Sequence, residues 1–503
     1  MLARPGTGGC VQVERGSSRG QSARGMRADT VRRRLAEVVG EEHLIDGSEA
    51  EDFTHDASFM EHGLLAVVRP IDTEEVAQVV RVCAETGTPV VARGAGTSLV
   101  GGPVPLAGGV VLSLDRLTSL EIDVPNTVAV AGAGVITARI DEEANRHGLM
   151  YPPDPASVEL CTIGGNVACN SGGLRCLKYG VTADYVMGLT VVLADGRVLR
   201  LGGRVRKRSS GYRLLHLFVG SEGTLGVVTE VVVKLVPLPR HRATAMVTFR
   251  TVEDAAAAVT RVMAAGHLPA ALELMDRATL RLVRDRLPAG FDPEAEAALI
   301  VEQDGNQPEP VLDELMRMVE ILDGVDDRIA QSNLERDRLW DARRNFGKVL
   351  MASRHHHFAE DVAVPLKAIP EMVRRVRRLE EETGLEICML GHAGDGNLHP
   401  TILFRDDQRH LVSRAAARIF RDAVELGGSI SAEHGLGVLK RDYAEVEHGT
   451  LAVSLMRQLK ELLDPKGILN PHKVLPEQPA DDDFLDRIPG WSGPGPRRME
   501  AGV

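Results

Sequence analysis

Apolar residues first recur at helical spacing between Thr30 and Val39, and a sharper stripe runs from Pro70 to Ala84, where Val76, Val79, Val80 and Cys83 share one face. Asp72 or Thr73 stands where an N-cap is needed. The run Thr88 to Ala92 (TPVVA) reads as a buried strand entering the segment RGAGTSLVGG, so the opening is strand–helix–strand. Further runs of strand length follow in VVLSL, TVAVAGAGV, TVVLADG and VVTEVVVKLVPLP, with glycine-rich turns between them. Residues 30–240 are therefore expected to form an α+β domain, closed by Pro237 and Pro239. The pattern then alternates strand-like TAMVTF, AALELM and ALIVEQD with helical EDAAAAVTRVMAAG. That order predicts a second domain over 241–455, an antiparallel sheet with helices on one side. A last helix, LAVSLMRQLKELLDP, ends at Pro465, and 456–475 is assigned to this helix and a return to the first domain. Residues 1–29 are read as a frayed tail, with Met1 and Met26 both open as starts, and residues 476–503, rich in Pro, Asp and Gly, as a mobile one.

Composition narrows the classes. A chain of 503 residues with 44% hydrophobic and 26% charged residues is globular and needs more than one core. Its net charge of -12, with both signs interspersed, argues against a nucleic-acid partner. No apolar run is long enough to span a bilayer, so any membrane contact is expected to be peripheral. The six cysteines form no CxxC pair and no iron–sulfur spacing, and read as reduced structural thiols of a cytoplasmic protein.

The glycines after the strand at 88–92 can bring several backbone N–H groups to an anion. Their spacing, Gly94, Gly96, Gly101 and Gly102, is not the dinucleotide GxGxxG, and Pro103 forbids the helix that such a fold begins there. Alone, the segment is as well read as a structural turn. Two more small-residue segments, GGNVACNSGG at 164–173 and GSEGTLGV at 220–227, change that reading. Three such loops imply a long, flat, polar ligand wrapped by backbone.

A second chemistry lies further on. Between two apolar runs stands Gly391-His392-Ala393-Gly394-Asp395-Gly396-Asn397, and its Asp-Gly pair predicts a hairpin turn that brings His392 and His399 together. Two such imidazoles suit Zn²⁺ or Mn²⁺, or are hydrogen-bonded core histidines; spacing leaves both open. Glu433 and His434, in SISAEHGLG, suggest a third ligand and a group facing substrate. Asp395 reads first as a turn residue. His355, His356 and His357 read as a surface or cavity rim.

RGAGTSLVGG, YPPDPASVELCTIGGNVACNSGG, KYG, GSEGTLGVVTE, GHAGDGNLHP and GGSISAEHGLG occur in one order, and over roughly residues 45–475 the chain resembles the vanillyl-alcohol-oxidase-like FAD family, in the glycolate oxidase and D-lactate dehydrogenase branch. The resemblance implies a two-lobed FAD-binding domain of the PCMH type and a ferredoxin-like antiparallel cap domain. It implies that Arg93, Gly94, Ala95, Gly96, Thr97 and Ser98 hold the pyrophosphate. Pro153, Asp154, Ser157, Gly164, Gly165, Asn166, Ala168, Gly172, Gly173 and Gly180 would line the isoalloxazine and ribityl chain. Glu222, Gly226 and Val227 would sit near the adenine side, with Asn470 also at the cofactor. Thr97 stands where relatives with covalent flavin carry His, which implies non-covalent FAD; Cys169 and Cys176 are set aside as tethers. His392, His399 and Glu433 would hold the metal, with His434 as base, Arg343 as the carboxylate-binding arginine and Asn397 at the substrate. The neighbouring Arg344 carries no such assignment.

The activity implied is oxidation of a small D-2-hydroxy acid such as D-lactate or glycolate. Electrons would pass to a quinone, a cytochrome, an electron-transfer flavoprotein or an iron–sulfur partner, and a homodimer is compatible. Relatives that oxidise D-2-hydroxyglutarate carry Thr and Lys where Gly347 and Ala359 align, so a diacid is expected to be rejected. Diacid oxidation and a flavin-binding subunit of a larger glycolate oxidase are the alternatives.

Overall fold

A computed structural model describes residues 18–353 and 356–488. In the first lobe, helix Thr73–Thr86 begins where the Asp72 side chain accepts the Glu75 N–H and ends at Gly87, whose φ of 63 is left-handed. It buries Val76, Val79, Val80 and Cys83 on a four-stranded sheet in which Ala66–Val68 and Val90–Arg93 lie parallel to the central Val110–Ser113. The helix at the amino terminus starts at Ser18 rather than Thr30 and ends at Val39. Val31, Leu35 and Val39 anchor its later turns to the same core, and residues 18–29, expected as a tail, extend the helix.

The second lobe is a five-stranded antiparallel sheet in the order Leu120–Asp123, Val128–Gly132, Val227–Lys234, Val186–Val192, Val198–Gly202. The glycine segment at 164–173, expected to be loop, contains helix Ile163–Cys169 between the lobes, opened by Thr162, whose hydroxyl accepts the Gly165 N–H.

The third sheet carries the second domain, in the order Asp326–Ile329, His241–Phe249, Ala297–Gly305, Ala271–Asp276, Glu386–His392, Asn397–Phe404, His356–Ala359. Helices Val252–Ala264, Pro308–Leu322, Ile369–Thr383 and Arg409–Glu425 cover one face. The other face is not bare: Arg277–Leu282, Asn333–Arg344 and Phe346–Ala352 pack there with Met246, Ala298, Ile300 and Leu390. Successive strand residues point to opposite faces, and strands apolar at every position need cover on both.

Helix Ala444–Leu463 is broken at Gly449 (φ 75, ψ 159), and the chain beyond it returns to the first lobe, where the Asn470 N–H donates to Val90 O at 2.8 Å. Residues 476–488 do not form a mobile tail. Phe484 and Leu485 are buried, Phe484 against Phe420 and Tyr443. Expectations for residues 1–17, 489–503 and His355 lie outside the described residues.

Candidate active site

One cavity of about 550 Å³ runs between the lobes and ends against the second domain. Its wall includes Arg93, Gly94, Ala95, Gly96, Thr97, Ser98, Ser157, Gly164, Gly165, Asn166, Ala168, Glu222 and Gly226, drawn from all three glycine segments, and at its far end Glu433 and His434. Close packing explains the small residues. A Cβ on Gly164 would lie 2.7 Å from Ala133 Cβ and 2.8 Å from Ala133 O. Leu114, Cys161 and Phe218 also line the space, and as isolated apolar letters they gave no signal.

Several residues expected at the cofactor stand behind the wall. Pro153, Asp154, Gly172, Gly173, Gly180, Val227 and Asn470 do not line the cavity. Asp154 pairs with Arg175 at 2.9 Å. Gly173 and Gly180 have φ of 148 and 87, backbone that an L side chain resists. The Asn470 amide donates to Gly102 O at 3.1 Å and Glu222 O at 2.7 Å, tying two glycine segments together. Arg93 borders the cavity while its guanidinium donates to Asp52 O and His55 O. Glu222 spends its carboxylate on the N–H groups of Leu436 and Gly437, at 2.7 and 2.8 Å. Burial pushes that carboxyl up to about 7, against the pull of the two N–H groups.

The hairpin joining Glu386–His392 to Asn397–Phe404 places the His392 and His399 rings 5.2 Å apart. Asp395 accepts the Asn397 N–H in its turn at 3.2 Å. Glu433 Oε1 lies 3.5 Å from His392 Nε2 and 3.3 Å from His399 Nε2. Zinc bonds of this kind in tetrahedral geometry separate their ligand atoms by about 3.4 Å, so these three donors fit one ion. Gly172 presses on the same carboxylate, since a Cβ there would lie 2.8 Å from Glu433 Oε2.

Two carboxylates missed in the sequence stand behind the cluster. Glu273 accepts from His392 Nδ1 at 2.7 Å and from Arg343 Nε at 2.8 Å. Asp361 Oδ2 accepts from Ser431 Oγ and from the N–H groups of Ala432, Glu433 and His434, at 2.9 to 3.0 Å. Its Oδ1 lies 3.9 Å from His399 Nδ1. Asp361, His399 and His434 thus make a second triad of possible ligands, sharing His399 with the first. The first suits an ion better on distance: Glu433 Oε1 stands 3.3 to 3.5 Å from its two imidazole nitrogens, whereas Asp361 stands 3.9 to 4.0 Å from those of His399 and His434, although its Oδ1 is buried without a hydrogen-bond partner. Burial lowers the His434 imidazole below its ordinary value, opposed by Asp361 and Glu433, which favours the neutral ring.

Asn397 is buried, and its Oδ1 has no hydrogen-bond partner. Arg343 is nearly buried, whereas Arg344 is exposed and lies over Trp340. The histidine tract is no simple rim. His356 stacks on Phe404, and His357 is buried edge-on to Phe59.

The sequence matches the family described as FAD binding domain over residues 64–202 and that described as FAD linked oxidases, C-terminal domain, over 238–474. It is 40% identical over 454 residues to glycolate oxidase subunit GlcD of Bacillus subtilis, covering 88% of this chain and 96% of that protein. It is also 40% identical over 413 residues to D-lactate dehydrogenase of Archaeoglobus fulgidus, covering 81% of this chain and 91% of that one. Among solved structures, p-cresol methylhydroxylase shares the fold with a TM-score of 0.73 at 16% identity, covering 90% of this chain and 97% of the other. With glycine loops from both lobes around one cavity and matches spanning both domains, the chain belongs to the FAD-linked oxidases and is an FAD-dependent oxidoreductase.

Proposed function

We propose that this enzyme oxidises a small D-2-hydroxy monocarboxylate, of the class of D-lactate or glycolate, to the 2-oxo acid. The observation that carries the reading is the continuity of the cavity from the glycine loops to Glu433 and His434, which lets the flavin's reactive end and a proton acceptor meet one substrate. His392, His399 and Glu433 would hold a divalent ion, zinc or manganese, and Thr97 in the first loop is consistent with non-covalent FAD. When bound, FAD supplies the acceptor for the hydride from Cα and the ion supplies charge that lowers the hydroxyl pKa. Neutral His434 takes the hydroxyl proton. Arg343 grips the carboxylate through the end of its guanidinium, and Asn397 offers its unpartnered Oδ1 to the substrate or a bridging water.

No charge for a second carboxylate is present at Gly347 or Ala359. A buried carboxylate without a partner is costly, so D-2-hydroxyglutarate and D-malate are expected to be poor substrates. Reduced flavin needs an electron acceptor, and the relative named as a subunit favours a partner protein over free diffusion to oxygen.

The test is anaerobic mixing of the yellow holoenzyme with D-lactate, glycolate, D-2-hydroxyglutarate and D-malate, followed by flavin bleaching. The monoacids should reduce it with the higher second-order rate constant for flavin reduction; a preference for either diacid would overturn the substrate reading. Chelation should abolish reduction while leaving FAD bound, because flavin and ion are held by different domains. Full activity in enzyme shown metal-free by elemental analysis would remove the ion from the account.

A further inference from the structure

We propose that Glu273 is a positioning residue that couples the histidine cluster to the substrate-binding arginine. The inference rests on the reading of His392 as a metal ligand and Arg343 as a carboxylate clamp. Glu273 lies within strand Ala271–Asp276 and is fully buried. Its two oxygens are divided: Oε1 lies 2.7 Å from His392 Nδ1, and Oε2 lies 2.8 Å from Arg343 Nε. The partners come from separate elements. His392 ends a strand paired beside that of Glu273, with Leu274 opposite Gly391, and Arg343 is on helix Asn333–Arg344.

Each contact has a consequence for the site. A proton held on Nδ1 by Glu273 fixes the His392 tautomer whose Nε2 lone pair is free, and Nε2 is the atom 3.5 Å from Glu433. On Arg343 the contact occupies only the inner donor, Nε. Among the described residues no other hydrogen bond from its side chain is found, so the terminal pair of nitrogens is left to grip a carboxylate as a fork. One rigid carboxylate thereby sets both the ring that holds the ion and the fork that holds the substrate. Two groups that must meet the same 2-hydroxy acid are kept in register by the strand between them.

A buried ion pair that served stability alone would lower the melting temperature when broken and leave metal and substrate affinity in the folded enzyme unchanged. The experiment uses metal-depleted, FAD-loaded enzyme. Zinc is titrated against a chromophoric chelator, and KM and kcat for D-lactate are then measured on the zinc-loaded protein with an artificial redox dye as electron acceptor. Glu273→Gln should weaken zinc binding by about 10- to 100-fold. It should also raise KM by at least about tenfold, since a buried amide leaves the guanidinium unanchored. In an Arg343→Ala background the same substitution should still weaken zinc and no longer change KM, which separates the two contacts. Should Glu273→Gln not hold FAD, Glu273→Asp, which keeps the charge and shortens the reach, is read instead and should shift both constants in the same direction. Unchanged zinc affinity and KM alongside a lowered melting temperature would overturn the proposal. A wild-type enzyme that binds no zinc and no manganese would instead fail the metal reading itself, and the KM comparison would then decide the arginine half alone.

Discussion

His434 and Asp361 divide the labour of one loop. The Asp361 carboxylate gathers three successive N–H groups at 432–434, and Lys440, fully buried, supports it by donating to Asp361 O at 2.8 Å and Ile430 O at 3.0 Å. His434→Asn is expected to fold and bind FAD while flavin reduction falls at least about a hundredfold, the scale of a general base. Single-turnover reduction monitored at the flavin band checks this; a loss under tenfold would reassign the base. Asp361→Asn replaces a charged acceptor with a neutral one and should destabilise the fold by about 2 kcal/mol, read by urea unfolding. His392, His399, Glu433 and His434 were legible because they stand in or beside small-residue turns, where a polar side chain has little packing reason to be. Glu273 and Asp361 were not. Each is one of two acids in a short run, ALELMD and AEDVAV, where the ordinary reading is a solvent-facing position; pairing on both sides of its strand makes Glu273 interior, and Asp361 is buried between two short strands.

Elements matter here through how closely they approach. Helix Ile163–Cys169 forms from a run that reads as loop, because glycines lower its intrinsic propensity and packing of Ile163 and Val167 into the second lobe's core compensates. The same glycines let it sit against Ala133. Gly164→Ala should therefore force the helix outward, costing about 1–3 kcal/mol in stability, and reduce the FAD retained on purification. The ratio of flavin to protein absorbance measures this, and a full complement of FAD at unchanged stability would contradict it. The hairpin at 392–399 was legible for the opposite reason: an Asp-Gly turn between apolar runs specifies its own geometry. The helices on the second face of the large sheet were not, since an unbroken apolar strand does not say what covers each side.

For the molecule as a whole, the segment after Asp464 locks the domains together. Lys473 is buried and donates to Val104 O at 2.6 Å, near Asp56 and Glu222. Burial pulls its amine down to about 7, against the pull of those two carboxylates. The folded value lies below the unfolded one, so between roughly pH 7 and pH 10 the unfolded chain binds the extra proton and stability rises with pH. The melting temperature of the native protein relative to Lys473→Met should climb across that window; a constant difference would show that the amine does not titrate there. The sequence by itself determined the α+β class from the order of its apolar runs and the histidine–glutamate cluster from side chains beside self-specifying turns, and its ordered motifs carried the resemblance to the flavoprotein family. Tertiary structure alone decided that Asn470 ties two glycine segments together behind the cavity wall, that Phe484 and Leu485 are core, and that Glu273 and Asp361 stand behind the ligands. Those outcomes depend on which distant segments meet, and a burial contributed by a neighbour far along the chain leaves no mark on local pattern.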